Sequence, residues 1–272
     1  MSQKTLIPLA IIVAGLLIAG AVFMSNKQQN PATGTASVPT DLFATTEVNL
    51  EVSPINETDY IRGSFDAELT ILEFSDLECP FCKKHQLTLQ NLTNEYEDTE
   101  LAWVYRQFPI TQLHSKAYIE SVGQECAGAL GGNDAFWTFT DKIYEITPSN
   151  NGLDLDLLPQ TAEEIGLDRV AFEECLSDEK WQAEIEKDMN DAVTSAEHIG
   201  GSVGTPYNIL ISQNEFNDQT LELIRSLAAQ YNKQNQIIFT ISKDHKRIGL
   251  SGALPIEMLQ GIVNTALEKT SE

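Results

Sequence analysis

Two cysteines two residues apart, Cys79-Pro80-Phe81-Cys82, stand between an apolar run and a stretch of helix formers. That arrangement constrains the fold more than any other part of the chain. The run "AELTILEFSD" (67–76) is short, apolar and bounded by polar residues, which predicts a buried strand. Pro80 falls where a helix begins, a position that tolerates a missing N–H, and Phe81 to about Tyr96 is rich in helix formers. A second apolar and aromatic run, "LAWVYRQF" (101–108), ends at Pro109. Strand, helix and strand in this order imply a parallel pair joined by a crossover helix.

Three chemistries compete for such a cysteine pair. A zinc clip needs four ligands, and there is no second C-x-x-C and no histidine pair at metal spacing; His85, His114, His198 and His245 are far apart. No metal is therefore expected. A structural disulfide inside C-x-x-C closes too short a loop to be a useful staple. The redox reading explains more. A cysteine just before a helix start meets unpaired N–H groups and the positive end of the helix dipole, which favour the reactive thiolate. Cys79 takes that exposed end, and Cys82, one turn in, is expected to be more buried and to resolve.

The chain ends bear on the compartment. Leu6 to Met24 carries no charge and shows no polar face. As a helix, at about 1.5 Å per residue, it reaches roughly one hydrocarbon core. Residues 1–24 are expected to be an uncleaved transmembrane anchor, with a cleaved signal peptide ending near "AGA" (19–21) as the rival. Lys4 favours the N-terminus inside, and Lys27 weakens that asymmetry. Either way the remainder is exported. Residues 25–48, rich in Ser, Thr, Asn, Gln and Pro, read as a flexible tether. The expected location is the cell membrane, single-pass, with the folded domain on the extracytoplasmic side. Forty acidic against 17 basic residues, net −23, argue against a nucleic-acid partner.

From Ser115 to about His198 helix-like segments follow one another between Gly, Asn and Asp breaks. An all-helical insertion over 115–199 is expected within an α/β domain made of 49–114 and 200–272. Strand character resumes at "PYNILIS" (206–212) and "QIIFTIS" (236–242), with a helix between them over 218–232 and a closing helix over 255–269. Lys246 to Gly252 is expected to add a short edge strand or turn. Cys126 and Cys175 fall on insertion helices; a structural disulfide is expected, with two buried free thiols or a second redox pair as alternatives. His85 is read as a surface residue, His114 as capping or packing, and His198 and His245 as exposed. Phe136, Trp137 and Phe139 are read as insertion core. No G-x-S-x-G elbow organises a hydrolase triad.

"ILEFSDLECPFC" (71–82), "GTP" (204–206), the helices over 115–199 and "GALPIEMLQGIVNTAL" (252–267) together resemble the DsbA-like thiol–disulfide oxidoreductases. The resemblance covers about residues 50–272 and implies a thioredoxin-like fold. The helix over 218–232 departs from the shorter hairpin usual there, so the C-terminal strand order is left open. By resemblance, Pro206 is the cis-proline facing the sulfurs, and Thr205 tunes the Cys79 thiolate and contacts substrate. Glu73 matches a buried acid that moves protons to and from the resolving thiol; the alternative is a strand residue facing solvent. Pro80 and Phe81 set the redox balance. Phe81 cannot stabilise a thiolate by charge and Glu78 opposes it, so a milder oxidant than histidine-bearing relatives is expected.

The resemblance implies an enzyme without a cofactor beyond its redox-active disulfide. It forms disulfides in exported proteins, taking reduced or unfolded proteins as substrates and an unidentified redox partner for reoxidation. An isomerase or reductase of the same fold is the alternative, and a non-enzymatic thioredoxin-fold binding module a more distant one.

Overall fold

A computed structural model describes residues 47–196, 203–233 and 236–269. The anchor expected over 1–24, the tether up to residue 46, and His198 lie outside these residues. No helix among the described residues is long and apolar enough to cross a membrane.

The chain begins with strands β1 (Glu47–Val48), β2 (Tyr60–Arg62) and β3 (Leu69–Ser75), followed by helix α1 (Pro80–Thr93) and strand β4 (Leu101–Gln107). Four helices then intervene: α2 (Ala117–Ile146), α3 (Leu157–Glu164), α4 (Arg169–Cys175) and α5 (Lys180–Ala196). The chain returns through β5 (Tyr207–Ser212), α6 (Asp218–Tyr231), β6 (Phe239–Ser242), β7 (Arg247–Ser251) and α7 (Ile256–Ala266). The strands form one sheet in the order β1-β6-β7-β5-β3-β4-β2. This is the thioredoxin-like α/β architecture with a helical insertion.

β3 lies inside the sheet, parallel to β4 (Ile71 opposite Trp103, Glu73 opposite Tyr105) and antiparallel to β5 (Glu73 opposite Asn208, Phe74 opposite Tyr207). Side chains alternate along a strand with period two. Leu69 and Ile71 pack with Cys82, Leu89, Trp103 and Tyr144, whereas Leu72 and Phe74 pack with Val104, Tyr207 and Ala192 on the opposite layer. Glu73 and Ser75 therefore share the face that looks toward the cysteines. The crossover through α1 follows from this burial, since a strand covered on both faces needs helices on each side.

Three expectations change. The tether expected through residue 48 ends earlier, because Glu47 and Val48 pair in parallel with Ile241 and Ser242. Val48 and Leu50 are buried, and that apolar pair draws the segment onto the sheet. β7 is not an edge strand; it lies between β6 and β5, with Ile248, Gly249 and Leu250 buried. Gly249 permits this closeness, because a Cβ there would meet the Thr240 hydroxyl. The segments "AYIESVGQECAGAL" and "DAFWTFTDKIYEI" run as one element, α2, broken at Gly132 (φ 77°, ψ −167°), a left-handed conformation that suits glycine.

The insertion is held by packing and by one covalent link. Cys126 in α2 and Cys175 in α4 form a disulfide with Cα atoms 5.8 Å apart. Phe136, Trp137 and Phe139 are buried, and Trp137 meets Trp103 of β4 at 4.6 Å between ring centroids. Arg106 is buried near the C-terminal end of β4, opposite Phe74, donating to Asp59 (2.8 Å) and to Asp191 of α5 (3.0 Å).

Candidate active site

The chain leaves β3 at Ser75 and turns through Asp76, Leu77 and Glu78 before α1 starts. Asp76 fixes that turn. Its carboxylate accepts from the Glu78 N–H (2.8 Å), the Ile110 N–H (2.9 Å) and His114 Nδ1 (2.8 Å), and its carbonyl accepts from the Cys79 N–H (3.0 Å). His114 thus has the packing role expected of it. Cys79 occupies the N-cap of α1 with extended backbone (φ −78°, ψ 120°), and Pro80 follows at the first helical position. Both thiols are free. Cys79 is less exposed than expected, 5 % against 0 % for Cys82, although the order of the two is as expected. Phe81 is 64 % exposed beside them.

The β3–β5 register carries Thr205 and Pro206 past the C-terminal end of β3, directly opposite the cysteines. The Thr205–Pro206 peptide bond is cis, and the Cys79 thiol donates to the Thr205 carbonyl at 3.5 Å. The Thr205 hydroxyl is buried with no hydrogen-bond partner among the described residues. A hydrogen bond from the Cys82 thiol, opposed by burial and assisted by Thr205 and the N–H groups of Cys82 and Phe81, holds the Cys79 thiol well below its ordinary acidity range. Burial drives Cys82 in the opposite direction, well above it. One thiol is prepared to ionise and the other to stay protonated.

Beneath Cys82 lies a buried polar network. Glu73 accepts from the Ser75 hydroxyl at Oε1 (2.8 Å) and from the Trp103 indole N–H at Oε2 (3.0 Å). Ser75 also meets the Tyr144 hydroxyl from α2 at 3.0 Å. Glu73 is fully buried, not facing solvent, and burial pushes its carboxyl up to about 7, with the Cys79 charge acting in the same direction.

Glu78 departs from its expected effect. Its carboxylate is buried and turned away from the sulfurs into a loop, where it accepts from the N–H groups of Asn151, Gly152 (3.2 Å) and Leu153 (3.3 Å). Ser149, Asn150 and Asn151 all have positive φ there, which turns successive N–H groups inward. Glu120 lies beside it; burial and the Glu78 and Asp76 charges push its carboxyl up to about 9. His85 is a second correction. It is fully buried, not on the surface, with Nε2 3.1 Å from the Asn208 side-chain oxygen, and burial lowers it to about 4. His245 is half-buried against Glu47 (3.2 Å), not exposed.

The structure thus gathers Cys79, Cys82, Glu73, Thr205 and Pro206 at one end of β3 and leaves Cys126 and Cys175 in the insertion. Ser75, Trp103 and Tyr144 complete the site and were not singled out from the sequence. No cluster of His, Cys, Asp or Glu among the described residues is arranged to hold a metal ion.

A family model described as thioredoxin matches residues 55–228. The chain belongs to the thioredoxin family. This thioredoxin-family chain is similar in fold to the crystal structure of DsbA2 from Pseudomonas aeruginosa, at 22 % identity and TM-score 0.54, over 80 % of this chain and 100 % of that one. A thioredoxin-like oxidoreductase from Silicibacter pomeroyi matches at 18 % identity and TM-score 0.52, over 79 % and 95 % of the two chains. Among curated proteins, the Na(+)/H(+) antiporter NhaA 1 of Salinispora arenicola is 31 % identical over 153 residues, 55 % of this chain and 22 % of that protein. The chain thus spans about a fifth of the length of the curated relatives it matches, and the likeness concerns that portion alone.

Proposed function

We propose that the chain is an extracytoplasmic thiol–disulfide oxidoreductase that forms disulfides in exported proteins through Cys79 and Cys82. One observation carries this reading: two adjacent thiols are driven to opposite acidities beside a cis Thr205–Pro206 bond. In the oxidised enzyme a substrate thiolate attacks Cys79 Sγ. The Cys79–Cys82 bond breaks and its electron pair goes to Cys82, which takes up a proton. A second substrate thiolate then attacks the substrate sulfur of the mixed disulfide, and Cys79 leaves as a thiolate. The substrate is oxidised by two electrons and the enzyme is left as the dithiol, to be reoxidised by a redox partner.

Each neighbouring group has a part in this scheme. The low proton affinity of Cys79 makes it a good leaving group and stabilises the reduced enzyme, which raises oxidising power. Thr205 and Pro206 offer backbone to an extended substrate segment. Glu73 exchanges the proton of Cys82. Residues 1–24 hold the domain at the membrane and the following polar segment sets its distance from it. Apart from the redox-active disulfide, the scheme uses no cofactor.

The test is the reduction potential of Cys79–Cys82 in the full-length protein, equilibrated against glutathione buffers. Disulfide donation requires a value on the oxidising side, toward about −120 mV, and milder than that limit because Phe81 supplies no charge. A value near roughly −270 mV overturns the oxidase reading in favour of a reductase.

A further inference from the structure

The buried network under Cys82 has a connectivity that limits how a proton can travel. Glu73 has two oxygens, and each is already taken. Oε2 accepts from the Trp103 indole N–H, a group that donates and cannot accept, so no proton passes that way. Oε1 is bonded to the Ser75 hydroxyl at 2.8 Å, and a hydroxyl both donates and accepts. Ser75 lies two residues after Glu73 on the same face of β3, between the carboxyl and the start of α1. Its hydroxyl also lies near enough to the Cys82 sulfur to favour the thiolate there, against the burial that raises this thiol. Tyr144 Oη occupies a further position on Ser75 Oγ at 3.0 Å. Glu73, Ser75 and Cys82 are all fully buried and Tyr144 nearly so.

We propose that the Ser75 hydroxyl is the relay through which Glu73 and Cys82 exchange a proton, held in position by Tyr144 from the helical insertion. The proposal rests on the reading of Cys79 and Cys82 as an exchanging pair. When the disulfide opens, Cys82 leaves as a buried thiolate. Ser75 donates its proton to Cys82 Sγ and takes one from the Glu73 carboxyl; the products are a Cys82 thiol, an intact Ser75 hydroxyl and a Glu73 carboxylate. Reoxidation runs the same transfers backwards. Before and after, Ser75 keeps the same neighbours, so the proton moves while the oxygen stays in place. Tyr144, hydrogen-bonded to Ser75 Oγ from a fixed side, keeps the hydroxyl from turning out of line. Tyr144 also lines a surface hollow of about 420 Å³ with Lys83, Gln86 and Glu145, which leaves the network one side chain from solvent for Glu73 to recover its proton.

The experiment follows reduction of the oxidised full-length protein by dithiothreitol in a stopped-flow instrument, from about pH 5 to about pH 9, with rates expressed per dithiothreitol thiolate. The unmodified protein is expected to slow as pH rises through the Glu73 range near 7. Ser75→Ala is expected to be roughly tenfold to a hundredfold slower below that range and to lose the inflection, as Glu73→Gln does. Ser75→Thr, which keeps the hydroxyl, is expected to retain both. A solely structural role for Ser75 would lower stability and leave the inflection where it is. Should Ser75→Ala fail to fold, a proton inventory on the unmodified protein in mixed light and heavy water decides: a bowed dependence is expected for two protons moving together, and a straight line overturns the relay. Brisk exchange by Ser75→Ala with the inflection intact overturns the relay and leaves the proposed function standing. No reduction of Cys79–Cys82 in the unmodified protein overturns both.

Discussion

Replacing Glu73 with glutamine is expected to make the protein more stable as pH rises from about 4.5 through about 7. In the folded state burial raises this carboxyl from an ordinary 4.5 to about 7. A raised carboxyl favours the protonated fold, so its contribution is fully present below about pH 4.5 and is lost as pH rises through about 7. At about 1.4 kcal/mol per pH unit, the ionised folded form is penalised by about 3 kcal/mol. The glutamine of Glu73→Gln carries no such penalty. Its oxygen can accept from Trp103 and its amide can donate to Ser75, so both partners stay satisfied. The assay is urea unfolding of both proteins, with the active-site pair held as the dithiol, at about pH 5 and about pH 8.5. Other raised carboxyls, such as Glu120 and Glu125, are common to both proteins and cancel in the difference. The variant is expected to gain about 2–3 kcal/mol on the native protein between the two pH values. A difference that does not change with pH would show that Glu73 is not a perturbed acid, and the reasoning about the buried network would fail.

Cys82→Ala is expected to accumulate mixed disulfides with disulfide-bonded substrate proteins, as the Cys79 thiolate attacks the substrate disulfide and one substrate sulfur leaves as a thiolate, visible on non-reducing gels, and Cys79→Ala to form none; trapping through Cys82 instead would reverse the assigned roles. The Cys126–Cys175 bridge joins residues 49 apart, and loop closure of that length contributes about 4 kcal/mol. Cys126→Ala with Cys175→Ala should lower unfolding stability by about that much, measured in urea, while the Cys79–Cys82 potential stays put. Phe81→His should move that potential in the oxidising direction by about 30 mV or more, the equivalent of a tenfold change in the exchange constant, because an imidazolium beside Cys79 favours its thiolate. Arg106→Ala should cost about 3–5 kcal/mol in the same unfolding assay, since it leaves Asp59 and Asp191 without their buried counter-charge.

What was legible in the sequence was what short spacing controls. The strand before the cysteines, the helix opening at Pro80 and the parallel return through 101–107 all follow from local pattern. His85 carries a signal that its neighbours mask. Cys82, His85, Leu89 and Leu92 recur at helical spacing and are all buried in α1, so the stripe that buries the leucines also buries the histidine. The polar residues of "KKHQ" point to the wrong face. Alternation puts Ser75 on the same face as Glu73, but which layer that face meets depends on β4 and β5. Trp103 and Tyr144 arrive from a neighbouring strand and from a helix about 70 residues away, and no local pattern connects them to Glu73. Glu78 differs from expectation for the same reason: adjacency in sequence suggests repulsion of Cys79, whereas residues 151–153 supply the N–H groups that take its charge.

That grip on Glu78 also bears on timing. Its N–H partners lie 73 to 75 residues downstream, and the Thr205 carbonyl that meets Cys79 lies 126 residues away. Contacts of such separation form late, because the entropy of closing the intervening chain is spent before they return anything. A chain emerging from its N-terminal side therefore has the local Cys82 and helix N–H contributions to the Cys79 acidity first, and the part that rests on burial and on Thr205 comes only once β5 has paired. The burial of the Cys79–Cys82 pair is thus completed by parts of the chain that are made last.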